Sequence, residues 1–268
     1  MKVCKIIDEY QAGLLIGYLF YYEKDDVYSI ELNDGVPELD APIFFSSFYK
    51  RNIFTVPPEW SRRWVETRVP PPDRQNLGMI LKDCGLRTYD MFRLMMISEG
   101  RCSQDDCAVL PVKYENLPGW VIKRRYKMLD FAVRLNEWNM ILVFRDGAIF
   151  RIDLTALAEE DVRLESALRN PAMKNEYAVM AGGVGILIGG TVTITAEKLY
   201  GAGERLPLSA EELRTIARAY IMDTRDVCDE LSCSRQYVDQ LTKKSGLPVL
   251  KDGGARIYAR SDVKKITE

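Results

Sequence analysis

The stretch from Thr224 to Gly246 is punctuated so closely that it admits few arrangements. Thr224 is a helix-capping residue type and precedes Arg225–Leu231, where Val227, Cys228 and Leu231 recur on one face. Ser232 and Cys233 leave room only for a short turn. Ser234 is a second cap, heading Arg235–Lys244, and Gly246 stops that segment. Neither helix is long enough to be stable alone, so the two must share a small core. Val238 and Leu241 supply it from the second helix.

With those two side chains inward, Gln236, Gln240 and Lys243 project from the opposite face, with Asp239 nearby. Arg235 lies at one flank and Tyr237 at the other. Long hydrogen-bonding side chains in this arrangement suit a duplex groove. Glutamine pairs with adenine through two hydrogen bonds, and lysine or arginine reaches guanine or phosphate. Asp239 is awkward beside phosphate; a helical ion pair with Arg235, four residues earlier, or acceptance from a cytosine amine accounts for it. Downstream, Pro248–Leu250 and Ala255–Tyr258 read as short strands around Lys251-Asp252-Gly253-Gly254. That hairpin carries Lys251 and Arg256, and with Lys244 and Arg235 these are the cations expected on phosphate. Ser261 reads as the cap of a last helix reaching Ile266. Upstream, Gly201-Ala202-Gly203 reads as a linker, and Ser209 caps a helix through Tyr220.

This segment resembles the excisionase and MerR-like winged helix-turn-helix superfamily. The resemblance is carried by Thr224-Arg-Asp-Val-Cys-Asp-Glu-Leu231, Ser232-Cys-Ser-Arg-Gln-Tyr-Val238, Gly246-Leu-Pro, Arg256-Ile-Tyr258 and Ser261-Asp-Val263. That family usually has a small residue where Cys228 stands and often glycine where Ser232 stands. The coiled-coil helix and effector-binding residues of MerR regulators have no counterpart here. The resemblance implies binding of double-stranded DNA, not metal or drug sensing.

The remaining chain is read as two further units, giving an α+β, multidomain protein with boundaries 1–118, 119–204 and 205–268. In the first, Gly13–Tyr22 and Val27–Leu32 are strands and Ile43–Tyr49 is another apolar run. Glu59–Arg68, Asp73–Cys84 and a Thr88-capped segment to Glu99 are helices. Leu77, Ile80 and Leu81 line one of those helices, and Phe92, Met95 and Met96 another. In the second, Phe131–Leu135, Met140–Phe144 and Ile149–Leu154 are strands, the latter two joined by an Asp-Gly turn. Ala156–Leu168 is partly helical, and strands near Ile186 and over Val192–Thr195 flank Gly189-Gly190. The middle unit is similar to a small bacterial α/β domain family of unknown function. Met140-Ile-Leu-Val-Phe-Arg-Asp-Gly147, Ile152-Asp-Leu154, Leu168-Arg-Asn-Pro171 and Thr195-Ala-Glu-Lys-Leu-Tyr200 carry that similarity. The first unit is similar to the non-catalytic N-terminal part of HipA-like proteins, through Gly17-Tyr-Leu, Arg68-Val-Pro-Pro-Pro-Asp-Arg74 and Gly85-Leu-x-x-Tyr89-Asp90. These resemblances imply a mobile-element or toxin–antitoxin-like setting and no activity.

Several sites are weighed and set aside. The chain has no histidine, which removes the commonest acid–base group and metal ligand. The glycines of Gly182–Gly189 are followed by a strand-prone run, so no helix start is available to hold a phosphate. The pairs Cys102/Cys107 and Cys228/Cys233 have zinc-like spacing, but small buried side chains are needed in the second place anyway. Asp25-Asp26 and Asp105-Asp106 are read as solvated turn residues, and Trp60 and Trp64 as a core stripe four residues apart. No catalytic, metal or cofactor site is expected. With a formal charge of −2, any nucleic-acid contact must be local. Ala12–Tyr22 is too short to span a membrane, and a cytoplasmic protein is expected. One module offers few cationic contacts, so a homodimer or a partner protein is expected to add more. The alternative is a protein-interaction adaptor whose last module is structural; an enzyme would need a deep pocket with converging carboxylates or lysines.

Overall fold

The computed structural model describes all residues except Ala172, Lys174, Asn175, Ser245 and Glu268. The fold is α+β and divides into two compact units. One comprises Met1–Asp146 and Phe150–Glu204; the other comprises Gly147–Ile149 and Arg205–Glu268. Apart from Gly147–Ile149, the spans 1–118 and 119–204 thus fall in one unit.

In the first unit, β1 (Lys2–Asp8), β2 (Leu14–Tyr22), β3 (Val27–Leu32), β4 (Thr55–Val56) and β5 (Cys107–Pro111) form an antiparallel sheet in the order β4-β3-β2-β1-β5. The β2 sequence is apolar almost throughout because both faces are covered. Ile16 and Leu19 join one core with Tyr28, Phe45 and Trp64, while Tyr18 and Phe20 join another with Val3 and Val121. A register shift between Ile6 and Ile7, opposite Gly17 and Leu15, places one extra β2 residue, Ile16, in a bulge. Gly17 lies so close to the Glu31 carbonyl that a β-carbon there would collide with it.

The helices of this part are α1 (Ile43–Lys50), α2 (Pro58–Glu66), α3 (Leu77–Asp83), α4 (Met91–Ile97) and α5 (Gly119–Tyr126), and all but α3, which buries no residue, cover the sheet. The apolar run at Ile43 is therefore helical, turned inward through Phe45, Phe48 and Tyr49. The helix expected from Asp73 begins only at Leu77. The fourth is capped by Asp90, whose carboxylate accepts from Arg93 N–H at 2.9 Å, and not by Thr88. Trp64 is wholly buried, whereas Trp60 is 41% exposed, so the expected stripe is half core and half surface. Asp105 is not a solvated turn residue. It holds the buried Arg68 at 2.6 Å, and that guanidinium stacks on Trp64 at 3.7 Å.

The chain continues with β6 (Leu129–Arg134), β7 (Asn139–Phe144) and β8 (Ala148–Asp153), hydrogen-bonded in that order, the first two residues of β8 belonging to the second unit. Asp153 and Asp161 then cap α6 (Leu154–Glu160) and α7 (Val162–Arg169), so the partly helical segment is two short helices. A second antiparallel sheet follows from β9 (Tyr177–Val179), β10 (Gly185–Ile188) and β11 (Val192–Thr195). Gly189 and Gly190 turn this last pair with φ of 57° and 67°, which settles the glycine-rich segment as a hairpin. The expected linker at Gly201-Ala202 is instead the end of α8 (Ala196–Ala202).

The second unit is entered through β12 (Glu204–Ser209) and α9 (Ala210–Tyr220), the latter opened by a Ser209–Glu212 capping box. It continues as β13 (Ile221–Asp223), α10 (Thr224–Leu231), α11 (Arg235–Lys243), β14 (Ile257–Ala259) and α12 (Arg260–Thr267). Strands β13 and β14 pair antiparallel, Met222 opposite Tyr258. Met222, Val227, Val238, Leu247, Tyr258 and Val263 form the buried centre, with Cys228, Leu231, Cys233 and Leu241 packed against it. Val238 is wholly buried, which contributes roughly 1.5–3 kcal/mol of the energy holding α11 down.

Candidate nucleic-acid interface

Helix α11 is fixed at both ends. Ser234 Oγ accepts from Tyr237 N–H at 3.3 Å, and Gly246 N–H returns to the Leu241 carbonyl at 3.0 Å. The preceding α10 is capped not by Thr224, its first residue, but by Asp223. The Asp223 carboxylate accepts from the N–H groups of Arg225 and Asp226, and Asp226 returns a carboxylate to Asp223 N–H at 2.9 Å. The link between the helices turns on Ser232, which has φ 49° and ψ 46°. This left-handed conformation is the one glycine adopts most easily.

Val238 and the half-buried Leu241 hold the helix against the module's core, and Arg235, Gln236, Tyr237, Gln240, Lys243 and Lys244 are all exposed. The structure therefore brings six of the eight expected contact residues together on one helix surface. Lys251 is exposed on the loop beyond. The hairpin is shorter than expected: its first arm is a single bridge, Lys251 opposite Ile257, and the second arm is β14, which also pairs with β13.

Arg256 departs from a simple phosphate-contact role. Its guanidinium turns back to Asp239 at 2.6 Å and to Asp252 at 3.3 Å. Asp239 also holds Lys243 at 2.7 Å. The helical pair expected between Asp239 and Arg235 is thus replaced by two others. The Lys243 and Arg256 hydrogen bonds hold the Asp239 carboxyl below its usual pKa, and Asp239 correspondingly raises that of Arg256. The acidic residue on this face is neutralised within the module, and the same ion pairs join the loop to α11. Ser261 is likewise not a cap. It lies inside α12, its hydroxyl 2.6 Å from that of Tyr220. Arg260 donates to the Ala219 carbonyl at 2.9 Å and pairs with Glu230 at 3.0 Å, bracing α12 against α9 and α10.

Residues 205–268 carry twelve Lys and Arg against ten Asp and Glu, while residues 1–204 carry twenty-five against twenty-nine.

The first unit holds a cavity of about 360 Å³ lined by Thr55, Arg124, Lys127, Met128, Glu197, Tyr200 and Gly201. Behind Thr55 lies Glu31, wholly buried, accepting from the threonine hydroxyl at 2.8 Å. Burial pushes its pKa up to about 7, against the pull of Thr55, Arg125 and Arg124. Arg124 is committed to packing, stacked on Trp120 and Phe54 and 3.0 Å from Asp34. Arg124 also lies 3.9 Å from the Glu31 carboxylate. Among the described residues no cluster of three or more Cys, Asp or Glu is placed to hold a metal ion, and no helix is long and apolar enough to cross a membrane.

No family model, no curated protein and no solved structure matches this chain.

Sequence reasoning missed Asp223 as the cap, the Asp239–Arg256 pair and the contributions of Met222, Leu247, Tyr258 and Val263 to the core. The alternation Ile221-Met222-Asp223 signals a strand only once its partner, Ile257–Ala259, is known. An ion pair across seventeen residues leaves no local pattern.

Proposed function

We propose that the second unit is a winged helix-turn-helix that binds double-stranded DNA, and that the protein regulates transcription in the cytoplasm. The observation that carries this reading is the exposed row Gln236, Gln240 and Lys243 on a helix anchored from behind by Val238 and Leu241. In the reading, Gln236 and Gln240 meet base edges in the major groove and Lys243 reaches guanine or phosphate. Arg235, Lys244 and Lys251 contact phosphate, with Tyr237 at the flank. Arg256 first organises the loop and then shares in neutralising the backbone. So few cations give weak binding at physiological salt. A second copy or a partner protein supplies the remaining contacts.

The test is selection from a pool of random duplexes over a salt series, with the full chain and a Gln236→Ala, Gln240→Ala double variant. Direct readout predicts that the chain enriches a motif which the double variant does not, while both retain salt-dependent background binding. A chain that enriches nothing and binds no duplex at low salt overturns the reading.

One observation favours the adaptor alternative. Leu213, Ile216 and Tyr220 recur along one face of α9 and are 39%, 52% and 45% exposed. An apolar stripe of this kind is suited to a protein partner. The two readings separate in the same selection, because an adaptor with a structural module enriches no motif.

A further inference from the structure

The backbone between α10 and α11 brings two thiols together. Ser232 N–H bonds to the Asp229 carbonyl at 3.4 Å, and Cys233 N–H bonds to the Cys228 carbonyl at 2.9 Å, around the left-handed Ser232. This nested pair of hydrogen bonds is the Schellman ending of a helix, in which the side chains of the first and last residues meet. Those residues are Cys228 and Cys233. Standard bond lengths and the 2.9 Å hydrogen bond hold their α-carbons within about 7 Å, near the outer limit that a disulfide spans. Both side chains pack against the module's core, both are free thiols, and both are partly open to solvent.

We infer that Cys228 and Cys233 form an oxidisable dithiol, a modification site that a hydroperoxide converts to an intramolecular disulfide across the turn. The other four cysteines are not in such a pair, and Cys4 and Cys107 are buried, their thiol pKa pushed upward by desolvation.

The chemistry balances in two steps. One thiolate attacks the peroxide O–O bond, giving a sulfenic acid and expelling hydroxide. The second thiol then attacks the sulfenic sulfur, forming the S–S bond and releasing water. Overall, two thiols and one peroxide give one disulfide and two waters. Burial, and then the adjacent Cys228 sulfur, raise the Cys233 thiol pKa. The reaction accelerates as pH rises toward the thiol range.

The cross-link closes on the turn that sets the angle between α10 and α11, immediately before the Ser234 cap. Its formation does not depend on the DNA-binding reading; only its effect on DNA does.

The full-length protein is treated with hydrogen peroxide at pH 8.5, alkylated with iodoacetamide and digested with trypsin. Asp226–Arg235 emerges as one peptide holding both cysteines. The expected product has lost two hydrogens, carries no alkyl group, and regains two alkylation sites after dithiothreitol. Cys228→Ser and Cys233→Ser each abolish that loss. In Cys233→Ser, dimedone is expected to trap the sulfenic acid on Cys228. A folded full-length protein whose peptide keeps two alkylatable thiols overturns the inference. Oxidation of each sulfur to sulfinic acid without loss of the two hydrogens overturns it as well. Failure of DNA binding in either redox state, with the disulfide formed, counts against the DNA reading alone.

Discussion

Asp239 is the sharpest point at which the proposed interface can be probed, because its carboxylate sits among the cations that DNA would need. It holds Lys243 at 2.7 Å and Arg256 at 2.6 Å. Asp239→Asn keeps the shape and removes the charge, releasing Lys243, leaving Arg256 only its 3.3 Å pair with Asp252, and removing a repulsion toward phosphate. Each cation newly engaged on B-DNA steepens the dependence of log affinity on log salt by about 0.9, so two steepen it by up to about 1.8. Between 50 and 200 mM salt, affinity then falls about twelvefold more steeply than for the unaltered chain, with tighter binding at the low-salt end. The pairs are solvent-exposed, with side-chain exposures of 71% for Lys243 and 38% for Asp239, so the fold itself depends little on them. Fluorescence anisotropy on one labelled duplex across a salt series measures the slope, and circular dichroism confirms that α11 persists. An unchanged slope, or weaker binding at low salt by a folded variant, refutes the reasoning. Asp239 would then be an organiser of the loop whose removal costs more than the freed charges return.

Three further outcomes follow from the packing. Ser232→Gly relieves the left-handed strain at φ 49° and is expected to stabilise the second unit by about 0.5–1 kcal/mol, after the glycine's extra unfolded-state entropy is subtracted; urea unfolding followed in that unit reads it. Glu31, raised from 4.5 to about 7, keeps in the folded state a proton that the unfolded chain has lost. Stability is therefore greatest below pH 4.5 as far as this group is concerned, and declines as pH rises to 7 and beyond. The loss amounts to about 3 kcal/mol, and Glu31→Gln should flatten that decline in pH-dependent denaturation curves. Arg68→Ala leaves Asp105 partly buried without its 2.6 Å partner and strips the Trp64 face, an expected cost of about 3–5 kcal/mol seen as a lowered urea midpoint for the first unit.

How much of this was legible in the sequence depended on whether the governing interaction was local. The Ser234 cap, the Gly189-Gly190 hairpin and the inward residues Phe92, Met95, Val238 and Leu241 are set by neighbours a few positions away, and the pattern displays them. Ile43–Tyr49 is ambiguous by contrast, because a short apolar run fits strand and buried helix equally well. Only the covering of the sheet by Phe45, Phe48 and Tyr49 decides for helix. The strands at Lys2–Asp8 and Cys107–Pro111 are separated by a hundred residues and gain their identity from each other. The punctuation at Pro118 shows the same dependence on distant partners. It starts α5, whose Val121 packs with Val3, Tyr18 and Phe20 in one core.

The candidate interface shows both regimes within one surface. Gln236, Gln240 and Lys243 could be placed on the open face from helical spacing alone, since two buried aliphatics fix the rotation of α11. What governs the charge of that face could not, because the Asp239–Arg256 pair is made by the loop's return path. The consequence is functional as well as predictive. A surface whose acidic residue is held by two of its own cations is less attractive to phosphate in isolation than its lysine and arginine content suggests. The same pairing lets the surface gain charge when a competing anion displaces Asp239. On the DNA-binding reading, the backbone phosphate is that anion, and the exchange of one acidic partner for another makes the salt dependence of affinity shallower than in a chain lacking Asp239, while leaving base selection to the glutamines.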